Sequence, residues 1–363
     1  MRIALLSLFK SPNYGAILQS YALQVHLKDL GFDSEYIPYS RHEMYSVPKR
    51  IKNRLYHIIS YLFGYRKREK RTSSFRQNYL SIARNQQNEQ YEQYDVFLVG
   101  SDQVWKPELL DSTDSFFFVP FSSSSNKVSY ASSFGVSELP KKYQKRYCQL
   151  LESFKSISVR EREGIEILGK LGITGASCVC DPTFLLSKQH WKRLIGNRII
   201  QEDYILCYVM TGDIPTANYV HDTAKRWVSQ LGTNLKVFII GDRDYRKLKP
   251  GYNLICDAGP MEFLNYTYYA SYVITSSFHG TCFSLIFGKK FVNVLNPLSP
   301  YNNRVLNLHR VFGLKNQLAY TGDKLFLAPP NDCLHEVQHR INEERKHADS
   351  FLITALSSCC KNS

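Results

Sequence analysis

The chain of 363 residues lacks several features that would assign it to a class at once. No apolar run approaches the roughly 20 residues that a transmembrane helix needs. The nine cysteines are scattered, and neither Cys178 with Cys180 nor Cys359 with Cys360 fits a zinc template. Glycine-rich phosphate loops and the three-glycine dinucleotide motif are also missing. These absences argue against a membrane span, a zinc module and an ATP or nicotinamide site, and they favour a reduced, cytoplasmic protein.

Acidic residues are scarce relative to basic ones. The chain has 46 Lys and Arg against 32 Asp and Glu, a formal net charge of +14. This balance favours anionic partners, which are phosphorylated small molecules, nucleic acid or an acidic membrane surface. Part of the excess lies in an insertion at residues 48–76, where Glu69 is the only acid. The insertion predicts either a basic amphipathic helix on an anionic membrane or a solvated basic face over an ordinary core contact.

Short apolar runs alternate with helical patterns, which is the βαβ signature of parallel sheets. Each half carries enough strands for a sheet of its own, and the length suggests about two domains. The predicted strands are Ile3–Ser7, Ser34–Ile37, Val96–Val99, Lys127–Ala131 and Ser156–Val159, then Tyr204–Val209, Lys236–Ile240, Leu254–Cys256, Tyr272–Thr275 and Phe291–Val294. The predicted helices are Ala16–Leu30, Lys141–Phe154, Pro215–Gln230, Met261–Ala270, Thr281–Phe287 and Arg304–Val311.

The junction between the two halves is predicted at Asp181–Ser187. We therefore expect an N-terminal domain at residues 1–185, a C-terminal domain at 186–333 and a final helix within 334–363. That helix is a candidate to cross back onto the first domain. The first residues, Met1–Phe9, resemble a short signal peptide without a cleavage site, and we interpret them as the first buried strand.

A histidine follows the predicted strand Tyr272–Thr275 in a polar elbow, Ser276–Gly280, that precedes an apolar helix. Such an elbow holds the imidazole of His279 at the carboxyl end of a strand, where open α/β sheets bind ligands. The helix start offers free N–H groups and a positive dipole end to an anion. The segment predicts acid–base chemistry on a phosphate or carboxylate substrate. The alternative is that His279 only caps the helix and packs.

Polar residues also follow two strands of the first half. The loop Asn13–Gly15 turns tightly at its glycine and leads into a helix N-terminus. Ser101, Asp102 and Gln103 follow the third strand and lie where ligands bind. In the alternative, Asp102 caps a helix. Trp105 is either a ring that stacks on a sugar or a residue that fills the seam between the two domains.

Two arginines are candidates to bind an anionic substrate. Arg160 ends the predicted strand Ser156–Val159 and can fork onto a carboxylate or phosphate, or it belongs to a surface ion-pair run that opens a helix. Arg304 follows a proline-rich loop and is either a second cation near His279 or a helix-opening surface residue. Asp181 is a hinge or a site residue.

Taken together, these segments resemble the polysaccharide pyruvyl transferase family. They follow one order from residue 3 to about 315, which is strong support for the family and weaker support for the substrate. The matching segments are Asn13–Leu23, Val99–Trp105, Ser129–Gly135, Ser158–Glu161, Asp181–Thr183, Ser276–Thr281 and the segment around Arg304.

The resemblance implies an α/β fold of the GT-B type, with two Rossmann-like domains facing across a cleft. It implies transfer of the enolpyruvyl group of phosphoenolpyruvate onto two hydroxyls of one sugar, which forms a cyclic ketal and releases phosphate. The implied acceptor belongs to a polysaccharide or a lipid-linked oligosaccharide at the cytoplasmic face of the membrane. We expect no cofactor besides this donor substrate, no metal and no nucleic acid partner.

We assign catalysis to His279, Arg160 and Arg304, with the arginines and the helix N-terminus holding the anionic groups. The residues predicted to bind substrate are Asn13, Tyr14, Gly15, Ser101, Asp102, Gln103, Asp181, Ser276, Ser277, Gly280 and Thr281. The competing prediction is a GT-B glycosyltransferase with a nucleotide-sugar donor, which often carries paired glutamates in its second domain. Glu262 has no second glutamate at that spacing. A non-catalytic protein that docks on membrane or nucleic acid would leave His279 unexplained.

Overall fold

The structure, a computed structural model, describes residues 1–39, 65–84, 88–110, 116–209, 213–231, 234–241, 253–299, 302–324 and 334–360. The chain divides into two compact units, each built on its own parallel sheet. The first takes in Met1–Leu55, Arg76–Leu186 and Asn342–Ser363, and the second takes in Tyr56–Phe75 and Ser187–Ile341. Most of the basic insertion at 48–76 lies outside the described residues, and its described residues 65–75 belong to the second unit.

The described helices fall between and around the strands. They are α1 (Tyr14–Asp29), α2 (Tyr65–Tyr79), α3 (Pro107–Leu110), α4 (Lys141–Leu151), α5 (Arg162–Lys170), α6 (Lys188–Arg193), α7 (Ile214–Leu231), α8 (Pro260–Tyr269), α9 (Phe278–Phe287), α10 (Asn303–Phe312) and α11 (Leu334–Cys360), with short 3-10 helices at Asn88–Gln93, Phe116–Phe118 and Pro182–Phe184. In the described part of the chain, no helix is long and apolar enough to cross a membrane.

The first unit contains a six-stranded parallel sheet. Its strands are β1 (Arg2–Leu6), β2 (Asp33–Tyr36), β3 (Val96–Val99), β4 (Lys127–Ser132), β5 (Phe154–Val159) and β6 (Ser177–Cys178). The strand order is β2-β1-β3-β4-β5-β6. The central strands are continuous apolar runs because helices cover both faces of a parallel sheet, and every residue of β3 is fully buried.

Trp105 belongs to the core of the first unit. Its indole is fully buried, stacks on Phe118 with ring centroids 5.9 Å apart, and donates from Nε1 to the carbonyl oxygen of Phe117 at 3.3 Å. Burial of the indole excludes stacking on a sugar. Its ring partners Phe118, Phe134 and Phe154 all belong to the first unit, so Trp105 fills the core of that unit and not the predicted seam between domains.

The second unit contains a second six-stranded parallel sheet. Its strands are β7 (Tyr204–Tyr208), β8 (Lys236–Ile240), β9 (Asn253–Ile255), β10 (Tyr272–Thr275), β11 (Lys290–Leu295) and β12 (Leu318–Tyr320). The strand order is β12-β11-β10-β7-β8-β9. On one face of this sheet α7 buries Trp227 against Ile205, Ile239 and Ile274 within one hydrophobic cluster.

The long helix α11 contributes to both units. Its first part belongs to the second unit, where Arg340 Nη1 donates to the Val311 carbonyl at 3.2 Å. From Asn342 onward it belongs to the first unit, where Asp349 Oδ1 lies 2.7 Å from His26 Nε2. The observed sheets and helices confirm the predicted α/β class. The strands β6 and β12 were not predicted.

Candidate functional site

In each sheet the chain adds strands first on one side of its starting strand and then on the other. The boundary between the two sides is the switch point of that sheet. In the first sheet, β2 and β3 flank β1, so this point lies between β1 and β3. In the second sheet, β8 and β9 extend on one side of β7 and β10 lies on the other. Open α/β sheets bind ligands beside the carboxyl ends of the strands at such a switch point. The first switch point is thus bordered by Ser7 and Ser101, and the second by Tyr208 and Ser276.

The first switch point is held by hydrogen bonds between the loops that follow β1 and β3. Ser7 Oγ donates to the Ser101 carbonyl at 3.1 Å, and Gln19 Nε2 donates to Ser7 Oγ at 2.8 Å. The Ser101 N–H donates to Gln19 Oε1 at 3.3 Å. Asn13 caps α1 by accepting the Gly15 N–H at 2.9 Å. The predicted residues Asn13, Gly15 and Ser101 thus lie together. The sequence analysis did not predict a role for Gln19, although a glutamine within an apolar helical segment could have indicated one.

Arg160 lies buried at the end of β5 with three carboxylates around it, and its exposed fraction is 3%. Its Nη1 donates to Asp181 Oδ2 at 2.9 Å, its Nε donates to Glu161 Oε1 at 2.9 Å, and its Nη2 lies 3.5 Å from Asp102 Oδ1. Burial lowers the pKa of this guanidinium, but Glu161, Asp181 and Asp102 together outweigh burial and raise it above its ordinary value. Arg160 is therefore charged. We call these four residues the Arg160 cluster.

The Arg160 cluster changes how two predicted residues must be interpreted. Each nitrogen atom of Arg160 has a carboxylate partner, so the three carboxylates engage three of its five N–H donors and offset its charge. Asp181 is almost fully buried, and its Oδ1 accepts the N–H and the hydroxyl of Thr183 at 3.0 and 2.8 Å. Asp181 therefore supports the switch point as a buried structural residue. Direct substrate binding by either residue stays a prediction.

Asp102 and Gln103 keep some access to solvent beside the cluster. The Asp102 side chain is 12% exposed, more than any of its partners in the cluster, and its backbone has a φ of 74°. Gln103 packs against Gly135, where an added Cβ would lie 2.4 Å from Gln103 Nε2. Tyr14, by contrast, is buried at the start of α1. Asp102 and Gln103 are therefore better placed than Tyr14 to contact a ligand.

The second switch point contains the junction between β10 and α9. The Ser277 N–H donates to Thr275 Oγ1 at 3.0 Å, and Ser277 Oγ accepts the Gly280 N–H at 3.4 Å. Ser277 is thus the N-cap, and α9 begins at Phe278 instead of the predicted Thr281. His279 consequently lies in the first turn of the helix and not in a free elbow. The cap moves the helix start because a serine hydroxyl accepts an otherwise unpaired N–H of the first turn.

Tyr208 at the end of β7 packs against this first turn. An added Cβ at Gly280 would lie 2.4 Å from Thr275 Oγ1 and 3.1 Å from Tyr208 Cδ1, so only glycine allows the observed approach. Burial raises the pKa of the Tyr208 phenol, while the charge of Arg68 and a hydrogen bond with Ser277 act against that rise. Tyr208 is a second residue that sequence reasoning missed.

His279 and Arg304 both lie beside Phe278. The imidazole is buried, with 5% exposed, and its ring is nearly perpendicular to that of Phe278 at a centroid separation of 5.0 Å. The Arg304 guanidinium carbon lies 5.9 Å from the centroid of the same ring. Arg304 is therefore placed near His279 in the same unit, at the start of α10. A cation, an imidazole and the N-terminus of α9 share this region with the partly exposed Ser276.

A buried polar network supports the first turn of α9 from behind. Asn293 Nδ2 donates to the Thr275 carbonyl at 3.0 Å and to Thr281 Oγ1 at 2.7 Å. This fixes the amide orientation, so Asn293 Oδ1 accepts from His309 Nε2 at 2.7 Å. Thr281 also donates to the Ser277 carbonyl at 2.9 Å. Thr281, predicted to bind substrate, is thus a buried support. Asn293 and His309 were missed, although a polar residue inside an apolar strand was a usable signal.

His309 predicts a measurable loss of stability in acid. Burial lowers its pKa from 6.5 to about 4, against a smaller rise from a hydrogen bond with the Leu314 backbone. The unfolded chain therefore binds more protons than the folded one between pH 6.5 and about 4, so stability falls as pH falls through this window. We expect about 2 kcal/mol less unfolding free energy at pH 5 than at pH 7.5 from this group.

Urea unfolding of the wild type and of His309→Gln at both pH values would measure the contribution of His309. Glutamine can still donate to Asn293 and does not titrate, so the pH dependence should become shallower by that amount. Equal pH dependence in both proteins would mean that His309 is not held neutral in the fold.

A separate cavity of about 340 Å³ lies in the first unit at the amino ends of β5 and β6, between Phe154, Ser177 and Phe351. It is at the opposite edge of the sheet from the switch point and holds none of the predicted site residues. Among the described residues, no group of three or more His, Cys, Asp or Glu side chains is arranged to hold a metal ion. The switch points therefore remain the candidate sites.

Solved structures with a similar fold include two sugar-nucleotide enzymes. The UDP-N-acetylglucosamine 2-epimerase from Rickettsia bellii has a TM-score of 0.53 at 7% identity, with 99% of this chain and 97% of that chain covered. A protein from Listeria monocytogenes, provisionally named UDP-N-acetylglucosamine 2-epimerase, has a TM-score of 0.54 at 10% identity, with 97% and 90% covered. At these identities the likeness shows the fold alone. It confirms two Rossmann-like units of the GT-B type.

Sequence comparison identifies the family. No match was found among curated proteins. The family model for polysaccharide pyruvyl transferases matches residues 13–297. The matched range runs from Asn13 at the first switch point to beyond His279 at the second, and Arg304 lies just after it. The match covers most of the chain and confirms the resemblance seen in the motifs, so the chain belongs to the polysaccharide pyruvyl transferase family.

Proposed function

We propose that the chain transfers the enolpyruvyl group of phosphoenolpyruvate onto two hydroxyls of one sugar, with formation of a cyclic pyruvate ketal and release of phosphate. The observation that carries this proposal is that His279 lies in the first turn of α9, at the switch point of the second sheet, and that Arg304 lies over the ring of the adjacent Phe278. A histidine and a cation at a helix start are the groups that a substrate with a carboxylate and a phosphate requires.

The second unit is the proposed donor side. Arg304 and the positive end of the α9 dipole would hold the two anionic groups of phosphoenolpyruvate, with Ser276 and Ser277 beside them. Gly280 lets this turn approach Tyr208 closely, which keeps the helix start rigid. Rigid donors aimed at fixed anionic groups need little reorganisation when charge shifts during the reaction.

His279 is the proposed proton-transfer group. One sugar hydroxyl adds to the central carbon of phosphoenolpyruvate, its proton is removed, and a proton is delivered to the methylene carbon, which becomes a methyl group. The carbon–oxygen bond to phosphate then breaks, the second hydroxyl oxygen bonds to the same carbon, and the proton of that hydroxyl leaves with the phosphate. An imidazole can both accept and donate a proton at its ring nitrogens and suits such transfers. We assign His279 to one of these proton transfers.

The first unit is the proposed acceptor side. The Arg160 cluster sets one cation against three carboxylates, which favours hydroxyl groups over a second anion as the ligand. Asn13, Asp102 and Gln103 would bind sugar hydroxyls, and Arg160 would act by holding Asp102 in place. We propose a lipid-linked or polymeric acceptor and a cytoplasmic site of action, peripheral to an anionic membrane, because the net charge is +14. We propose no cofactor and no metal requirement.

Phosphate release tests the proposed function. Purified protein would be incubated with phosphoenolpyruvate and a panel of α- and β-linked galactosides, glucosides and mannosides, and free phosphate and the ketal product would be measured. We expect phosphate release that depends on one acceptor class and persists after exhaustive chelation. A second series would replace phosphoenolpyruvate with nucleotide-sugars. Transfer or hydrolysis of a nucleotide-sugar without any release from phosphoenolpyruvate would contradict the proposal and support a glycosyltransferase.

A further inference from the structure

Three lysines surround one tyrosine ring on the surface of the second unit. The Nζ atoms of Lys188 and Lys192, both on α6, each lie 6.0 Å from the centroid of the Tyr268 ring. The Nζ atom of Lys289, which follows α9, lies 5.6 Å from the same centroid. Lys188 and Lys192 are exposed, and Lys289 is half-buried. Three positive charges therefore converge on one part of the surface.

Helix ends explain two of these lysines but not the third. Lys188 Nζ donates to the carbonyl of Phe287, the last residue of α9, and Lys289 Nζ donates to the carbonyl of Ala270, the residue after α8, both at 2.9 Å. A cation at the C-terminus of a helix is favourable. Within the described part of the chain, the Lys192 ammonium has no hydrogen bond, and it lies one helical turn from the like charge of Lys188.

Acidic residues do not offset this charge. The segments 187–201 and 263–322, which carry the three lysines and Tyr268, contain no Asp or Glu. Among the residues that the structure describes, none of the three lysines forms an ion pair with a carboxylate. Burial, followed by the positive charges of Lys188 and Arg198, lowers the pKa of Lys289 to about 8. A bound anion would relieve this repulsion.

Aromatic and aliphatic side chains lie beside the lysines. The rings of Tyr268 and Tyr269 have centroids 5.0 Å apart and are nearly perpendicular. Ile199 is 47% exposed, and its N–H donates to Asn265 Oδ1 at 3.3 Å. Asn265 precedes the two tyrosines by three and four residues, so it lies on the same side of α8. We call the resulting surface the Lys188 patch, which consists of Lys188, Lys192, Ile199, Tyr268, Tyr269 and Lys289.

We propose that the Lys188 patch binds the anionic headgroups of a membrane surface. Lysines near such a surface are attracted to acidic phospholipids, and tyrosine rings lie at the level of the headgroups. An exposed isoleucine can insert at the boundary between headgroups and acyl chains. Nucleic acid also attracts lysines, but its phosphate backbone is contacted by polar and charged side chains, so the exposed Ile199 favours lipid.

The Lys188 patch lies away from the candidate site of the second unit. Ala270 precedes β10 and Lys289 precedes β11, so the patch lies at the amino ends of these strands. His279 lies at the carboxyl end of β10. A membrane bound to the patch would therefore not cover the switch point at the other edge of the same sheet. This inference goes beyond the proposed function because membrane binding does not depend on pyruvyl transfer.

Co-sedimentation with vesicles tests the inference. The wild type should bind vesicles made of equal parts of phosphatidylglycerol and phosphatidylcholine, and not vesicles of phosphatidylcholine alone. Combined replacement of Lys188, Lys192 and Lys289 with glutamine should weaken binding by about 100-fold, because each lysine near an anionic surface contributes about fivefold. Ile199→Ser should weaken vesicle binding by about 3- to 10-fold and leave binding to double-stranded DNA unchanged.

The matched control replaces Lys141, Lys142 and Lys145 on α4 of the first unit with glutamine. These lysines are also exposed, and Lys142 Nζ lies 4.5 Å from the centroid of the Tyr143 ring. The change in net charge is the same, but charges farther than a Debye length from the vesicle are screened. At physiological salt the control should therefore weaken binding by no more than about twofold.

Several outcomes would overturn the inference. Equal losses in the two triple variants would mean that overall charge drives binding. Weaker binding to DNA with unchanged binding to vesicles would assign the patch to nucleic acid. A wild type that does not bind acidic vesicles would overturn both the inference and the peripheral location, whereas phosphate release with soluble acceptors still tests pyruvyl transfer separately. If the patch variant does not fold, Lys192→Gln alone should weaken binding by about fivefold, and unchanged binding would overturn the inference.

Discussion

Replacing His279 with glutamine is expected to lower kcat for pyruvyl transfer by about 10²- to 10⁴-fold, with a smaller change in KM for phosphoenolpyruvate. Glutamine keeps hydrogen-bonding groups of similar reach but cannot exchange a proton near neutral pH. The imidazole is buried in the first turn of a helix whose cap, Ser277, and whose close approach at Gly280 do not depend on it. The measurement is the initial rate of phosphate release at saturating acceptor over a range of phosphoenolpyruvate concentrations.

His347→Gln supplies the control for His279→Gln, because His347 is an exposed histidine on α11. It should leave kcat, KM and the thermal midpoint unchanged. The midpoint of His279→Gln should also stay close to that of the wild type, which separates lost chemistry from lost folding. Near-normal kcat in His279→Gln would remove His279 from the proton transfers and leave it the capping and packing role that the sequence also allowed.

The sequence predicted most of the sheet strands because their residues are buried on both faces. Val96–Val99, Lys236–Ile240 and Tyr272–Thr275 match the observed strands to the residue. Each is a short run rich in valine, isoleucine and phenylalanine, which parallel strands between helix layers require. The missed strands, β6 and β12, have two and three residues at sheet edges and carry no such run. The equally short edge strand β9 was predicted, as Leu254–Cys256.

The sequence predicted which residues of the candidate site follow strands. It did not predict which of those residues lie close together. Residues such as Asn13, Ser101 and His279 follow predicted strands, and the parallel sheets bring such ends to one edge. The order of the strands decides which ends are neighbours, and that order is set by packing that the sequence does not display. For the same reason Tyr208 was not linked to His279, although β7 and β10 are adjacent.

Long-range charge pairing was the least predictable part. Arg71 and Asp257 are 186 residues apart in the chain, and a basic segment by itself indicates only a preference for anions. Arg160 raises the same difficulty, because its neighbour Glu161 is adjacent in sequence while Asp102 and Asp181 come from other loops. Arginine at position 160 predicted a positive charge at the end of the strand. The burial of that charge among carboxylates depends on the fold, which brings Asp102 and Asp181 to Arg160.

Replacing Arg160 with methionine is expected to destabilise the first unit by about 3–5 kcal/mol, the usual cost of removing one partner from a buried ion pair. Methionine has a similar length but leaves Asp102, Glu161 and Asp181 without their common cation. The exposed fraction of the Arg160 side chain is 1%, so water would not replace the lost partner. Urea unfolding followed by far-ultraviolet circular dichroism measures the loss.

Arg162→Met is the matched control for Arg160→Met. Arg162 is two residues away, 70% exposed, and 3.9 Å from its nearest carboxylate partner, Glu166. Its replacement should change the unfolding free energy by no more than about 0.5 kcal/mol. If Arg160→Met does not fold, the double variant with Asp181→Asn should restore part of the stability, because one buried charge is then removed along with its partner. A fully stable Arg160→Met would mean that the ion pairs of Arg160 add no net stability to the fold.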